Sequence, residues 1–287
     1  MLLSVIIPTC HRNDLLAECL DRLAPGRQQD QASGQLDYEV IVTDDGQHTT
    51  AETMIREHYP WVRWLAGPRR GPAANRNHGA AQAGAPWLIF TDDDCLPSVT
   101  FLPAYRAAIL ESPSQVFEGR TEACGERVGA DWECPANQTG GFLWSCNFAI
   151  QRDLFLALGG FDQMLPAAAM EDVELRWRLE AGGQRIPFVP EALVHHPWRR
   201  RKGRAFLQLK ARSIGYCVSK HPARRIEFTT AAQCRHLART LLLHLPRNLI
   251  DFRGCGVFRQ FALELLASYL FWRFVHFPKR PATSTRP

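Results

Sequence analysis

Three groups of acidic residues sit where carboxylates could do chemistry. Asp92-Asp93-Asp94 follows the apolar run Trp87–Thr91, Asp44-Asp45-Gly46 follows Glu39–Thr43, and Glu171-Asp172 opens a stretch that runs to Leu179. Three adjacent carboxylates repel one another. A hard divalent cation relieves that repulsion, and Mg²⁺ or Mn²⁺ held by one or two carboxylates plus substrate phosphates is the usual arrangement. A solvated acidic loop is the plain alternative for a run of three acids taken alone. Two acidic turns at strand ends shift the balance, because the carboxyl ends of strands in an open parallel sheet are where ligands bind. One turn can then face a base or ribose while the other holds metal. A carboxylate at Glu171-Asp172 can accept a proton from an attacking hydroxyl, although an acidic first turn is also an ordinary way to begin a helix. Arg76, in Gly71-Pro72-Ala73-Ala74-Asn75-Arg76-Asn77, offers a guanidinium that can pair bidentately with a diphosphate; a solvated surface arginine is its plain alternative. His195-His196 offers an imidazole to a metal shell. Neither GxxxxGK[ST] nor GxGxxG follows the first apolar run, which argues against a P-loop NTPase or a dinucleotide-dependent oxidoreductase.

The elements that must carry these residues alternate between short apolar runs and amphipathic ones, the pattern of parallel strands joined by crossover helices. Strands are predicted at Leu3–Ile7, Glu39–Thr43, Val62–Leu65 and Trp87–Thr91. Between the first two, Asn13 is placed to cap a helix whose apolar face is Leu15, Leu16, Cys19, Leu20 and Leu23. Ala73–Ala83 supplies another helix, ending at Gly84. From Phe117 to Asn147 the pattern dissolves into Gly, Cys, Pro and polar residues, read as active-site loops around an edge strand. A strand at Ser145–Ile150, a helix after Asp153 stopped by Gly159-Gly160, and a helix from Glu171 stopped by Gly182-Gly183 restore order.

The 287 residues, 46% hydrophobic and 22% charged, are enough for one large or two small cores, and they exclude disordered, collagen-like and small disulfide-stapled classes. Pro8 and the polar Thr9-Cys10-His11-Arg12 cut the apolar start short of a signal-peptide core or a membrane span. Nine cysteines, an odd number without a CxxC pair, spell neither a disulfide framework nor a zinc cluster and suit a reducing, cytoplasmic setting.

The net charge of +5 is unevenly spread: residues 192–226 carry ten Lys or Arg and no acid, leaving −5 for the rest. Such a segment can face anionic lipid or a phosphate-bearing acceptor, or simply be a solvated basic face. Nucleic acid is disfavoured because aromatic interleaving is thin and no nucleic-acid module is legible. Beyond it, Leu237–Leu245 and Phe261–Phe277 are apolar and aromatic, but Glu264 and Arg273 interrupt the second run. It reads equally as an interfacial helix or a core helix.

Taken in order, Ser4-Val5-Ile6-Ile7-Pro8-Thr9, Glu39–Gly46, Ala74–Ala80, Phe90–Asp94, Gly159-Gly160-Phe161-Asp162, Glu171-Asp172 and His195-His196 resemble the family 2 glycosyltransferases of the GT-A fold, over about residues 2–200. Each motif is weak singly; the specificity lies in the series. The resemblance implies an α/β fold of GT-A type, a Rossmann-like, mostly parallel sheet flanked by helices over 1–200; charge and composition beyond it predict a basic, amphipathic helical extension over 201–277 and a disordered tail over 278–287. The resemblance also implies an inverting transferase that uses a nucleotide-diphosphate sugar and a divalent cation, Mn²⁺ or Mg²⁺. By position, Pro8 and Thr9 would line the nucleotide pocket, Asp45 would contact the base and Arg76 would approach the diphosphate. Asp92-Asp93-Asp94 is similar to the family's DxD, with Asp94 as metal ligand and Asp92 or Asp93 nearer the ribose and sugar. Asp172 matches the catalytic base, and His196, rather than His195, falls where many members carry a histidine near the metal. Where many members have Tyr-Asn after the first strand, this chain has Cys10-His11, so the ring that can stack on the base is replaced, with His11 as a substitute.

The resulting expectation is a sugar transferase of cell-envelope glycan or glycolipid synthesis. It would act on a glycan or lipid-linked acceptor, in the cytoplasm or peripherally on the inner face of the membrane. Two other classes compete. A sugar-1-phosphate nucleotidyltransferase would carry a Gly-rich, basic loop after the first strand, which Pro8–Arg12 is not. A non-catalytic nucleotide-sugar-binding or membrane-associated protein would not need Asp94 and Asp172.

Overall fold

The first strand, β1 (Leu3–Thr9), is buried at every position. Such a strand reads as a continuous apolar run because both faces of the sheet are covered. In the computed structural model, which describes residues 1–30, 34–165 and 169–277, β1 lies at the centre of the parallel half of an eight-stranded sheet. The tail 278–287 lies outside the described residues.

Chain order runs β1, α1 (Asn13–Arg22), a small hairpin of β2 (Gln29–Asp30) and β3 (Gly34–Gln35), β4 (Tyr38–Asp44), α2 (Glu52–His58), β5 (Val62–Ala66), α3 (Pro72–Gln82) and β6 (Trp87–Thr91). There follow β7 (Leu96–Pro97), α4 (Phe101–Glu111), β8 (Val116–Cys124), β9 (Trp132–Glu133), β10 (Asn147–Gln151), α5 (Arg152–Ala157), α6 (Glu171–Ala181) and β11 (Phe188–Pro197). Across the sheet the order is β5-β4-β1-β6-β10-β8-β11-β7. The pairs β5–β4, β4–β1, β1–β6 and β8–β11 are parallel, while β10 runs antiparallel to both its neighbours and β7 to β11.

Side chains of successive strand residues point to opposite faces, and they divide the core accordingly. Val5, Ile7, Val40, Val42 and Ile89 join Leu16, Leu20, Phe101 and Tyr105 on one face. Ile6, Ile41, Leu88, Phe90 and Phe148 join Ala80, Phe155, Phe161 and Leu175 on the other. Helix α3 approaches the sheet so closely that a Cβ on Gly79 would sit 2.8 Å from Ile6 Cγ2, so the alanine-rich helix needs glycine there.

Two expectations are corrected. Asn13 is the first residue of α1 rather than its cap, and its Nδ2 donates to the Thr50 carbonyl at 3.1 Å. The strand inside the supposed loop region is not an edge: β8 lies between β10 and β11. Its polar residues are buried with partners. Asn147 of β10 donates through Nδ2 to the carbonyls of Arg120 in β8 (2.7 Å) and Ala192 in β11 (2.9 Å), and a Cβ on Gly119 would collide with that amide.

The chain divides into two compact units. The first comprises Met1–Gly125, Cys134–Met164 and Glu171–Trp198, and contains the sheet just described. The second takes Glu126–Glu133, residues 165 and 169–170, and the described residues over 199–277. In it β12 (Arg199–Arg200) pairs antiparallel with β9. The helices α7 (Arg204–Lys220), α8 (Thr230–Arg239), α9 (Leu245–Asp251) and α10 (Val257–His276) follow, with a π-helical stretch, Thr240–His244, joining α8 to α9. Leu263, Ala267 and Leu270 of α10 pack on Leu207 and Ala211 of α7, so this apolar run has a helix partner over its buried face. Among the described residues no helix is long and apolar enough to cross a membrane.

Candidate active site

Because β4, β1 and β6 are parallel neighbours, their carboxyl ends emerge together, and Thr9, Asp44-Asp45 and Asp92-Asp93-Asp94 share one sheet edge. Pro8 is buried within β1, in register with Thr43. Thr9 Oγ1 donates to Asp93 Oδ2 at 2.8 Å. Arg12, in the loop after β1, places Nη2 3.1 Å from Asp93 Oδ1 and Nη1 3.3 Å from Asp94 Oδ2. Asp93 and Asp94 are almost wholly buried, so neutralising cations must be part of the local architecture.

The neighbouring acidic turn is built differently. Asp44 accepts from the backbone N–H of Gly46 (2.8 Å) and Ala51 (2.6 Å) and from Trp64 Nε1 (3.3 Å). Asp45 accepts from the backbone N–H of Arg69 (2.8 Å) and Gly71 (3.1 Å). Asp45 therefore reaches the shared edge with its carboxylate bonded to the loop that leads into α3. His11 has a positive φ of 56°, lies exposed beside His48 and makes a 3.1 Å ring contact with the Thr49 carbonyl.

Arg76 connects the aspartate turn to the start of α6. Its Nη2 lies 2.5 Å from Asp92 Oδ1 and its Nη1 3.3 Å from Glu171 Oε1, with the guanidinium 5.7 Å from the centre of the Phe161 ring. Burial works against this charge, but Asp92 and Glu171 outweigh it and raise the guanidinium's pKa. The two acidic regions are thus on the same side of the molecule, joined by one residue. That residue is held between two carboxylates.

Burial, reinforced by the adjacent Asp172, pushes the Glu171 carboxyl up to about 7. Burial likewise raises Asp172, against the opposing pull of backbone N–H groups and Arg76. Asp172 Oδ2 accepts from Ser145 N at 3.3 Å and Oδ1 from Val173 N at 2.8 Å. The loop carrying Ser145 is shaped in turn by buried Glu118 of β8, which accepts from the backbone N–H groups of Gly141, Phe142 and Leu143 and from Asn137 Nδ2.

His196 comes to the site on β11, whose residue His195 pairs with Leu96 of β7 just beyond the aspartate turn. Its Nδ1 is 2.8 Å from the Pro197 carbonyl and therefore carries the proton. Burial lowers the imidazole's pKa. In the neutral form Nε2 then presents a lone pair toward Asp94 Oδ1, 3.6 Å away. Two buried acceptors facing each other repel, and a cation between them removes the repulsion. Asp94, Cys95 and His196 offer ligand atoms that all lie within 4.8 Å of one another. The Cys95 thiol is pushed well up by its contact with Cys146 and by burial, which leaves the carboxylate and the imidazole as the ready donors. This donor set fits a hard or borderline divalent ion.

Of the residues singled out in the sequence, Thr9 contacts Asp93, His196 faces Asp94, and Arg76 contacts Asp92, while Arg12 joins Asp93 to Asp94 and Asp172 lies next to Glu171, the second carboxylate on Arg76. Arg12, Glu118 and Ser145 are additions. Nothing in the sequence distinguishes Arg12 from other exposed arginines except its place in the loop after the first strand.

Residues 4–160 match the sequence profile of the family described as Glycosyl transferase family 2. A validoxylamine A glucosyltransferase of Streptomyces hygroscopicus subsp. limoneus is 28% identical over 239 residues, 69% of this chain and 51% of that protein. A pre-mycofactocin glycosyltransferase of Mycobacterium tuberculosis is 29% identical over 181 residues, 56% of this chain and 37% of that protein. The chain thus spans only about half, or less, of these relatives' lengths. Among solved structures, the mannosyltransferase PcManGT from Pyrobaculum calidifontis, in complex with GDP-Man and Mn²⁺, superposes with a TM-score of 0.59 at 18% identity, covering 96% of this chain and 87% of its own. S. aureus TarS 1-349 in complex with UDP-GlcNAc gives 0.56 at 20% identity, covering 96% and 90%. The fold is that of the GT-A glycosyltransferases, and the chain belongs to glycosyl transferase family 2.

Proposed function

We propose that this transferase moves a sugar from a nucleotide-diphosphate sugar to an acceptor hydroxyl with inversion at the anomeric carbon, Asp172 acting as general base. The observation that carries the reading is the Arg76 bridge between Asp92 and Glu171, which gathers a metal-competent aspartate turn and a carboxylate pair at one place. The complexes of PcManGT with GDP-Man and Mn²⁺ and of TarS with UDP-GlcNAc support a nucleotide sugar as donor.

Asp94 and His196 are the proposed metal ligands, and Mn²⁺ or Mg²⁺ bound there would act as a Lewis acid that stabilises charge on the departing diphosphate. Asp172 takes the acceptor's proton on the face opposite the leaving group, and the N–H of Ser145 orients its carboxylate. Its raised pKa suits a base that must take up a proton during turnover. Thr9 and Arg12 hold Asp93 in place, and Arg76 holds Asp92 and Glu171, so the acidic groups keep their positions without collapsing onto one another. Pro8, Thr9 and Asp45 are assigned to the nucleotide pocket, and Asp92 and Asp93 to the ribose and sugar. Residues 1–200 would form the transferase domain and 201–277 the extension. The acceptor would be a glycan or lipid-linked hydroxyl in cell-envelope synthesis, met at the inner membrane face.

The test is to incubate the purified chain with Mn²⁺ and a panel of nucleotide sugars and to follow nucleoside diphosphate release. Release of the diphosphate, abolished by Asp172→Ala while nucleotide-sugar binding persists, is the expected result. Pyrophosphate release would instead indicate nucleotidyl transfer, and normal turnover by Asp172→Ala would overturn the base assignment.

A further inference from the structure

The stretch 199–204 of the basic run is the first place to look for an anion-binding face, yet within the second unit two of its five cations are held by acids. Arg200 Nε lies 2.8 Å from Asp131 Oδ2, and Arg201 pairs with Glu133 at 3.1 Å and also with Glu264. A different surface of this unit has the opposite character. Leu241, Leu242 and Leu243, in the π-helical stretch after α8, are 49%, 69% and 59% exposed, and Ile250 of α9 is 78% exposed. Three consecutive helical residues sweep about 200° of the helix perimeter. All three can reach water only if the segment stands proud of the core. Leucines in that position cost free energy in water and need a covering surface.

What surrounds them says what that surface is. Between 235 and 253 the chain carries Arg235, Arg239, Arg247 and Arg253, all exposed, against a single acid, Asp251, which lies 3.3 Å from Arg247. Next to the leucines is a cleft of about 430 Å³ lined by Ala232, Arg235, His236, Arg239 and His244. His236 is engaged by Glu264 at 3.0 Å, leaving Arg235 and Arg239 as the cleft's strong cations. Exposed apolar side chains flanked in sequence by exposed arginines match the boundary of an anionic bilayer, with acyl chains for the leucines and phosphate for the arginines. A second copy of this chain would bring its own arginines against these.

We propose that Leu241–Leu243 and Ile250 insert into the surface of an anionic membrane while the Arg235–Arg239 cleft receives a phospholipid phosphate. The inference rests on the reading of a peripheral membrane protein given above and moves the contact from the basic segment to the α8–α9 face.

The test is co-sedimentation of the full chain with vesicles of phosphatidylcholine, with and without phosphatidylglycerol. Wild type is expected to pellet with the phosphatidylglycerol vesicles, and an excess of inorganic phosphate to leave it bound. Leu242→Glu with Ile250→Glu should lower the partition coefficient about tenfold or more. Arg235→Glu with Arg239→Glu should abolish the preference for phosphatidylglycerol, whereas Arg199→Glu with Arg204→Glu should pellet as wild type. Unchanged melting and donor turnover in each variant establish that it is folded. Loss of binding only in the 199/204 variant would overturn this surface and keep the membrane reading. No pelleting of wild type with any vesicle would overturn both, with sugar transfer to a soluble acceptor unaffected. Displacement by phosphate alone would reduce the cleft to an ion site. A wild-type dimer that Leu242→Glu dissociates, with vesicle binding unchanged, would assign the face to a second copy.

Discussion

The two acidic turns on the shared sheet edge, Asp44-Asp45 and Asp92–Asp94, are alike in sequence and opposite in construction. The first is answered by backbone: four main-chain N–H groups and one indole donate to its two carboxylates. The second is answered by side chains, Arg12, Arg76 and Thr9, with the His196 imidazole facing Asp94. Main-chain partners cannot leave without unfolding a loop, whereas side-chain partners can rotate and yield to a ligand. Residue type therefore does not separate a carboxylate locked into its loop by main-chain donors from one held by exchangeable side chains; the partners do.

Substitutions at the two turns should have opposite consequences. The largest effect is expected from Asp172→Asn, which should lower kcat by about a thousandfold through loss of the proposed general base, with donor affinity by calorimetry unchanged. Asp94→Asn should weaken metal-dependent binding of a nucleoside diphosphate by about a hundredfold, read by titration with and without Mn²⁺, and leave the melting temperature near that of wild type. Asp44→Ala should do the reverse. Stranding the N–H groups of Gly46 and Ala51 should cost about 2–3 kcal/mol of stability, seen as a lower midpoint in thermal or urea melts, with turnover per folded molecule retained. If Asp44→Ala destroyed turnover and spared stability, the distinction between the turns would fail.

The smallest effect concerns pH. Glu171 titrates near 7 in the folded chain against 4.5 for a free glutamate, so the folded state holds its proton more tightly. The stability this confers is present in full below pH 4.5 and is lost as pH rises through about 7. Glu171→Gln should flatten that part of the stability profile, measured as urea midpoints between those pH values.

Much of this was legible before folding was considered. The strands at Leu3–Thr9, Tyr38–Asp44 and Trp87–Thr91 follow from apolar runs, which buried parallel strands require, and the edge strand Val62–Ala66 from a shorter run interrupted by Arg63. β8 was not legible as a central strand because Glu118, Thr121 and the residues around them are polar, and only partners distant in sequence make their burial tolerable. Arg76 was recognisable as a cation near the site, but its position between Asp92 and Glu171 depends on a residue 95 positions away. Arg12 and Ser145 carry no local signal at all. The basic run over residues 192–226 is legible from charge density, whereas the acids that answer its Arg200 and Arg201, namely Asp131, Glu133 and Glu264, come from other segments.

Alternating apolar and amphipathic runs specify an α/β sheet covered on both faces, with acidic turns at its strand ends, because burial on both faces and the need to punctuate strands act over a few neighbouring residues. Tertiary structure alone decided which carboxylates meet cations and which meet main-chain N–H groups, and which arginines remain exposed. Electrostatic neutralisation is a property of atoms brought within about 4 Å, and the chain sets those distances only when distant segments pack.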